Sequence, residues 1–327
     1  MDPWSATPEH LPPLTLSVLR DLVLDAPPGP GRAAHISAAS GVARRGDFVY
    51  VIGDDELGVG VFRLSNKAPG TFRRVFGGEL SGDYDERKKE KPDLEALTLL
   101  PPFSGRPFGA LLGLGSGSNP HRQRGFVWGL AADGSLDGKP IELDASALYG
   151  RLRETAPELN IEGVSALGSR LWLFHRGNTE QGLNIVADVP LEDFIAGVQA
   201  DGLIDDCGER LSTRAYELGE LDDVPLTFSD ATPLADELVV FTASAEPGSD
   251  PHGTDGAIRG SVVGALDGKG HVERMRTIDR RWKVEGVYAS VDARVIDFLF
   301  VCDQDDPGAP SPLLSAAMPI ESQFETA

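Results

Sequence analysis

Apolar residues in this chain come in short runs cut by turn residues. Phe48–Ile52, Leu238–Phe241 and Phe298–Val301 are examples. Runs this short, rich in β-branched and aromatic residues, predict buried strands rather than helices. Each belongs to a larger plan that recurs five times: a small or acidic anchor, a short strand, a turn, then a strongly apolar strand. The copies are "SGVARRGDFVYVIGDD" from Ser40, "EALTLLPPFSGRPFGALLGLGS" from Glu95, "EGVSALGSRLWLFHRG" from Glu162, "SDATPLADELVVFTAS" from Ser229 and "EGVYASVDARVIDFLFVCD" from Glu285. The anchors are spaced by 55, 67, 67 and 56 residues.

Four copies continue into a third strand, a turn and a fourth strand, with Asp-Gly and Asn-Lys-Ala-Pro-Gly connectors suited to hairpins. Four antiparallel strands per unit, repeated about an axis, predict an all-β fold, a five-bladed β-propeller occupying residues 1–327 as one domain. The fifth copy has a third strand near "SPLLSAAMPI" and then ends. Its fourth strand is expected from the N-terminal "LTLSVLRDLVL", which closes the ring and removes open edges. Six blades would result if two units are merged in this reading. Helices are expected in "DASALYGRLRETAPEL", capped by its aspartate, and in "PLEDFIAGVQA" inside the third blade. The mixed-charge "DERKKEKPD" reads as a solvated loop.

Composition narrows the function classes. Thirty Lys and Arg against 51 Asp and Glu leave a net charge of −21. Such a surface repels phosphate backbones and argues against nucleic-acid binding. Two cysteines make no disulfide framework. No apolar run approaches membrane-spanning length. The start of the chain has no basic segment leading into an apolar one, so a cytoplasmic protein is expected, an exported form that has lost a leader being the alternative.

The innermost strand of a propeller blade lines the central channel. Ser40, Glu95, Glu162, Ser229 and Glu285 begin those strands and should meet at one mouth, with Asp230 competing with Ser229 for its place. Three carboxylates brought together repel, and either protons or a cation must relieve them. A hard cation with many oxygen ligands, Ca2+ above all, suits a wide ring of carboxylates and hydroxyls. The bland alternative is that Glu-Gly is turn chemistry, with the glycine supplying a positive φ.

The order Ser, Glu, Glu, Ser, Glu over five blades resembles the calcium-dependent apyrases (calcium-activated nucleotidases), through "SGVARRGDFVYVIGDD", "TFSDATPLADELVVF" and "KVEGVYAS". That resemblance implies a five-bladed propeller with a central calcium held by the five anchors. "FHRGN" puts Arg176 where that family has arginine. The Glu-Gly strand starts also resemble phytase-like and esterase-like bacterial propellers. The apyrases follow the first-blade acidic pair with arginine and threonine, where this chain has Glu56 and Leu57. Their second-blade loop resembles Gly-Lys-Glu-Trp-Thr, where this chain has "GSGSNPHRQRG". The resemblance therefore implies that the metal ring is kept, while nucleotidase activity does not follow.

Loops joining second and third strands should lie over the ring, and loops on a rigid scaffold commonly carry function. They hold Asn119, His121, Arg122, His175, Arg176, His252 and Asp303. Arginine and histidine beside a cation suit an anionic small-molecule ligand, a phosphate or a carboxylate. Asn119, His121, Arg122, His175 and His252 are the expected ligand-binding residues. A metal-bound water with Asp54 or Asp303 as general base and Arg176 stabilising charge would make a metal-dependent hydrolase of a phosphoester or similar anion. The alternatives are a non-catalytic ligand-binding propeller with a structural metal, and a protein-interaction scaffold.

Overall fold

The computed structural model describes residues 2–177, 183–235, 238–247, 258–303 and 305–320. The chain forms five four-stranded antiparallel blades, as the repeat predicts. Blade 1 holds Ala39–Arg45, Phe48–Gly53, Gly58–Arg63 and Thr71–Arg74. Blade 2 holds Leu94–Leu100, Ala110–Gly115, Arg124–Leu130 and Leu136–Asp144. Blade 3 holds Ile161–Leu167, Arg170–His175, Asn184–Pro190 and Ser212–Glu217. Blade 4 holds Thr227–Ala235, Leu238–Ala245, Gly260–Asp267 and Val272–Thr277. Blade 5 holds Val284–Asp292, Val295–Cys302 and Pro312–Pro319, and its outer strand is Ser17–Asp21 from the N-terminus, the closure expected from the sequence.

The second strands are buried on both faces over most of their length, because each blade is sandwiched between two others; Phe48–Gly53 is buried throughout, while Asp297 in blade 5 is exposed. The core is accordingly five apolar wedges, one at each blade–blade junction. The richest lies between blades 2 and 3, around Leu112, Tyr149, Leu173 and Phe194. The wedge between blades 5 and 1 is the smallest.

The N-terminal segment does more than supply one strand. Trp4–Ser5 pairs in parallel with the outer strand of blade 3. The backbone then bonds blade 4 through Glu9 N to Met275 O and Leu14 N to Thr277 O, blade 5 through Leu22 N to Ser311 O, and blade 1 through Asp25 N to Gly70 O. Trp4 anchors its start, stacked on His271 with ring centroids 4.4 Å apart. A single extended strap thus ties four blades together.

Among the described residues three α-helices interrupt the blades. The helix Leu191–Gln199 lies in blade 3 as expected. Ser146–Leu152 is shorter than the pattern suggested, and Asp144 accepts from the Ser146 amide rather than sitting at the cap. The third, Tyr84–Glu90, corrects the reading of "DERKKEKPD" as a solvated loop. Asp83 caps it by accepting from the Glu86 amide, and Arg87 and Lys91 are buried against acids of blade 1. Among the described residues no helix is long and apolar enough to cross a membrane.

Candidate axial site

Each innermost strand carries one β-bulge near its start, and the bulged residue is the anchor every time. Pairing jumps from Ala39 to Gly41, Leu94 to Ala96, Ile161 to Gly163, Phe228 to Asp230 and Val284 to Gly286. The residues left unpaired are Ser40, Glu95, Glu162, Ser229 and Glu285. A bulge bends the strand and re-aims one side chain, which is why bulges recur beside functional sites. In blade 4 the bulged residue is Ser229, not Asp230.

The residue after each anchor explains the Glu-Gly pairs. None of Gly41, Gly163 and Gly286 has a positive φ, so the turn-chemistry reading is corrected. A Cβ on Gly163 would lie 2.7 Å from Ala231 N and 3.0 Å from Asp230 Cα. One on Gly286 would lie 2.9 Å from both Gly41 Cα and Ser40 O. Glycine lets neighbouring innermost strands touch. In blade 4 this place belongs to Asp230, fully buried, which accepts from its own Ala231 amide and, across the junction, from the Val287 amide, both at 2.7 Å. It satisfies edge donors that face the channel instead of a sheet partner.

The two ring serines also tie blades. Ser40 Oγ donates to Leu94 O at 2.7 Å, and Ser229 Oγ donates to Thr242 Oγ1 at 3.0 Å and reaches Val284 O at 3.3 Å. Both carbonyls immediately precede the next blade's glutamate anchor. The serines therefore fix the backbone from which Glu95 and Glu285 spring, and each hydroxyl oxygen keeps lone pairs.

Glu162 is 6 % and Glu285 8 % exposed. Glu162 accepts from Asn160 Nδ2 at 2.5 Å and faces Arg176 at 3.7 Å. Arg176 also pairs with Glu246 at 2.8 Å. Lys283 lies 3.4 Å from Glu285 and 3.5 Å from Glu246. Around Glu95 the carboxylate oxygens of Asp54, Asp93 and Glu95 lie within 4.8 Å of one another. Lys91 bridges Asp54 and Asp93, and Arg122 pairs with Asp93 at 2.9 Å. Asp93 reaches this place with a left-handed backbone, φ 57°, a conformation concentrated at functional sites.

Seven carboxylates here, Asp305 on Lys283 included, share four basic groups, so the mouth holds surplus negative charge. Burial pushes Glu95 well above the usual carboxylate range, reinforced by Glu162, Asp93 and Asp54. Burial lifts Glu162 to about 7 against the pull of Arg176, and Glu285 to about 8 against Lys283. Asp54 rises to about 6 by burial, opposed by Lys91. Arg176 is held above its ordinary value, burial being outweighed by Glu162, Glu246, Glu285 and Glu95. One charge field thus spans the three glutamate-bearing blades.

The loop residues are less united. Asp54 is bound by Lys91, while its neighbours Asp55 and Glu56 are held by Arg32, and Asp55 also by Arg87. Asp303 accepts from the Asp305 amide at 2.8 Å, and burial raises its carboxyl. His175 is buried and lowered to about 4 by burial; its Nδ1 accepts from the Asn160 amide at 3.0 Å, so it is neutral and positions the loop before Glu162. His121 stands exposed on the turn Pro120–Arg122. Asn119 precedes that turn without capping it, its Oδ1 buried and without a hydrogen-bond partner among the described residues. His252 lies outside the described residues. The arginines expected to receive an anion, Arg122 and Arg176, are already paired with carboxylates.

Sequence reasoning missed Asp93, Asn160 and Lys283. Each stands two residues before a glutamate anchor, the spacing that returns a side chain to the same side of an extended chain. Aligning the five copies one step further upstream would have found them. Lys91 and Glu246 carry no such signal, because they arrive from connecting loops.

Similarity to a solved structure supports the fold and nothing finer. The chain is similar to an α-L-arabinofuranosidase from Podospora anserina solved with cellotriose, at 12 % identity and TM-score 0.51, over 98 % of each chain. It is also similar to a glycosyl hydrolase from Bacteroides ovatus, at 8 % identity and TM-score 0.40, over 89 % of this chain and 88 % of that one. A luciferin-regenerating enzyme gives 11 % and 0.40, over 87 % and 92 %. None of these three is an apyrase or a phytase. No curated protein matches the sequence. The profile of one family matches residues 35–318, from just before the first anchor to the end of the last strand. The chain belongs to the Family of unknown function (DUF6929).

Proposed function

We propose that the axial mouth binds one divalent cation, with Ca2+ the best fit, and that Glu95, Glu162 and Glu285 are its carboxylate ligands. The observation that supports this reading is that five bulges, one per blade, set the anchors at the same step of the five innermost strands, with Glu162 and Glu285 buried, Glu95 half-buried beside Asp54 and Asp93, and one field of charge linking the three glutamates. The donor set is all oxygen, which suits a hard cation and excludes the sulfur and nitrogen ligation typical of zinc. Five separate strands form a wide ring, better matched to calcium than to the tight octahedron of magnesium. The surplus of carboxylates over bases favours a cation over the anionic ligand expected from the loop arginines. Ser40 and Ser229 place the glutamates and offer lone pairs as further ligands.

A second reading makes the same centre hydrolytic, and the raised, partly buried carboxyl of Asp303 favours it as general base. A bound cation would supply Lewis acidity and a more acidic water. Asp54 is the weaker base because Lys91 holds it. Hydrolysis of a phosphoester or a related small anion is the reaction class to test. The resemblance to apyrases lies in the order of the five anchors alone, and no comparison adds to it.

Melting of chelator-treated protein with and without calcium tests the first reading. Calcium should raise the melting temperature of the wild type, and Glu162→Gln should lose the rise. No calcium effect on the wild type overturns it. A phosphoester panel with calcium, run on wild type and Asp303→Asn, decides the second.

A further inference from the structure

We propose a second site, a binding cleft for a small hydroxylated carboxylate of monosaccharide size, such as a sugar acid, at the seam between blades 5 and 1. It lies at the end of the ring away from the axial mouth. Arg44 and Ser290 stand four and five residues beyond Ser40 and Glu285 on the same innermost strands. The cleft is about 370 Å³, within the range of small-ligand pockets.

This is the junction where the ring closes, and its apolar wedge is the smallest of the five. Near the mouth, Val42, Val51, Val301 and Leu313 fill it. Further down, the packing gives way to polar groups. Cross-strand pairing sets two rows on one face of blade 5: Tyr288, Leu299, Ser315 and Ser17, then Ser290, Asp297 and Ala317. Arg44 faces them from blade 1, and Leu64 and Leu299 form an apolar floor.

The charges in the cleft are unspent. Arg44 Nε donates to Gly46 O at 2.8 Å, and its two terminal nitrogens bond nothing among the described residues. Asp297 has no donor and makes no ion pair among the described residues, although Arg44 lines the same cleft. Comparable residues elsewhere are committed: Arg170 to Asp188 in blade 3, Arg63 to Asp47 in blade 1. A free guanidinium fork matches a carboxylate. An acceptor carboxylate across from it, with hydroxyls of Tyr288, Ser17, Ser290 and Ser315 between, matches several ligand hydroxyls that both donate and accept. An amino acid would use the two charges and leave those hydroxyls without partners. A neutral sugar would leave Arg44 unpaired.

The test is calorimetric titration of the full chain with glucuronate and galacturonate, with glucose and glutamate as comparison ligands. Saturable binding of a uronate is expected, weakened roughly tenfold or more by Arg44→Gln and less by the exposed Asp297→Asn. Glu162→Gln, which disarms the axial mouth, should leave it unchanged, so failure at one site is distinguishable from failure at the other. Melting curves confirm that each variant is folded. No uronate binding up to ~10 mM, binding indifferent to both Arg44→Gln and Asp297→Asn, or equal or tighter binding of glucose or glutamate would overturn the proposal.

Discussion

Gly163→Ala tests how the ring is built. The new methyl would meet Ala231 N at 2.7 Å, Asp230 C at 2.8 Å and Asp230 Cα at 3.0 Å. Ordinary contacts need ~3.5–4 Å, so blades 3 and 4 must separate by ~0.5–1 Å at the axis. All three neighbours are backbone, and no side chain can swing away. Overpacking of this kind costs ~1–3 kcal/mol, and a rigid contact belongs at the upper end. Gly168→Ala is the control: it lies in the same blade with φ +56° and nothing within 4 Å of its Cβ. Only backbone conformation resists that change, at a cost of ~1 kcal/mol. Urea unfolding reads both. With a slope of ~3 kcal/mol/M, Gly163→Ala should lower the midpoint by up to ~1 M and Gly168→Ala by about a third of that. A Gly163→Ala protein as stable as wild type, or a larger loss in Gly168→Ala, would refute the close-approach argument.

Arg87→Met removes a buried partner of Asp55, bonded at 2.7 Å, while Arg32 remains; a loss of ~3 kcal/mol is expected in the same unfolding assay. Ser311→Ala strands the Ala39 amide and Ser37 carbonyl that its hydroxyl joins between blades 5 and 1, costing ~1–3 kcal/mol by urea unfolding. Metal-free protein should lose stability as pH rises from about 5 to about 8, because Glu162 and Glu285 titrate near 7 and 8 when folded but near the ordinary 4.5 when unfolded. Their contribution is full below the unfolded value and is lost as pH climbs through the folded one; melting temperatures in chelator across this range check the direction, and calcium should flatten the fall.

The blades were legible because a fold made of local hairpins writes itself in short-range signals: apolar runs such as Phe48–Ile52, turn residues between them, and a repeated anchor. The ring residues were legible for the same reason, since Glu95, Glu162 and Glu285 share one register. Less legible was whatever depends on contact between distant segments. Nothing local tells that Arg87 and Lys91 turn inward to meet Asp55 and Asp54, because a mixed-charge stretch looks solvated until its partners are placed. Trp4–Ser5 is two residues long, below any periodicity. The glycines after Ser40, Glu162 and Glu285 announced themselves, but their purpose, the approach of a neighbouring blade, is a fact of the closed ring.

The central claim is that the axial glutamates jointly hold a cation. Its most direct test is equilibrium dialysis of chelator-treated protein against calcium, read by elemental analysis of the retained metal. One calcium per chain is predicted for the wild type, and a fall well below that for Glu95→Gln, Glu162→Gln and Glu285→Gln at the same free calcium. Wild-type protein that retains no calcium would contradict the account, as would retention that all three glutamine variants preserve.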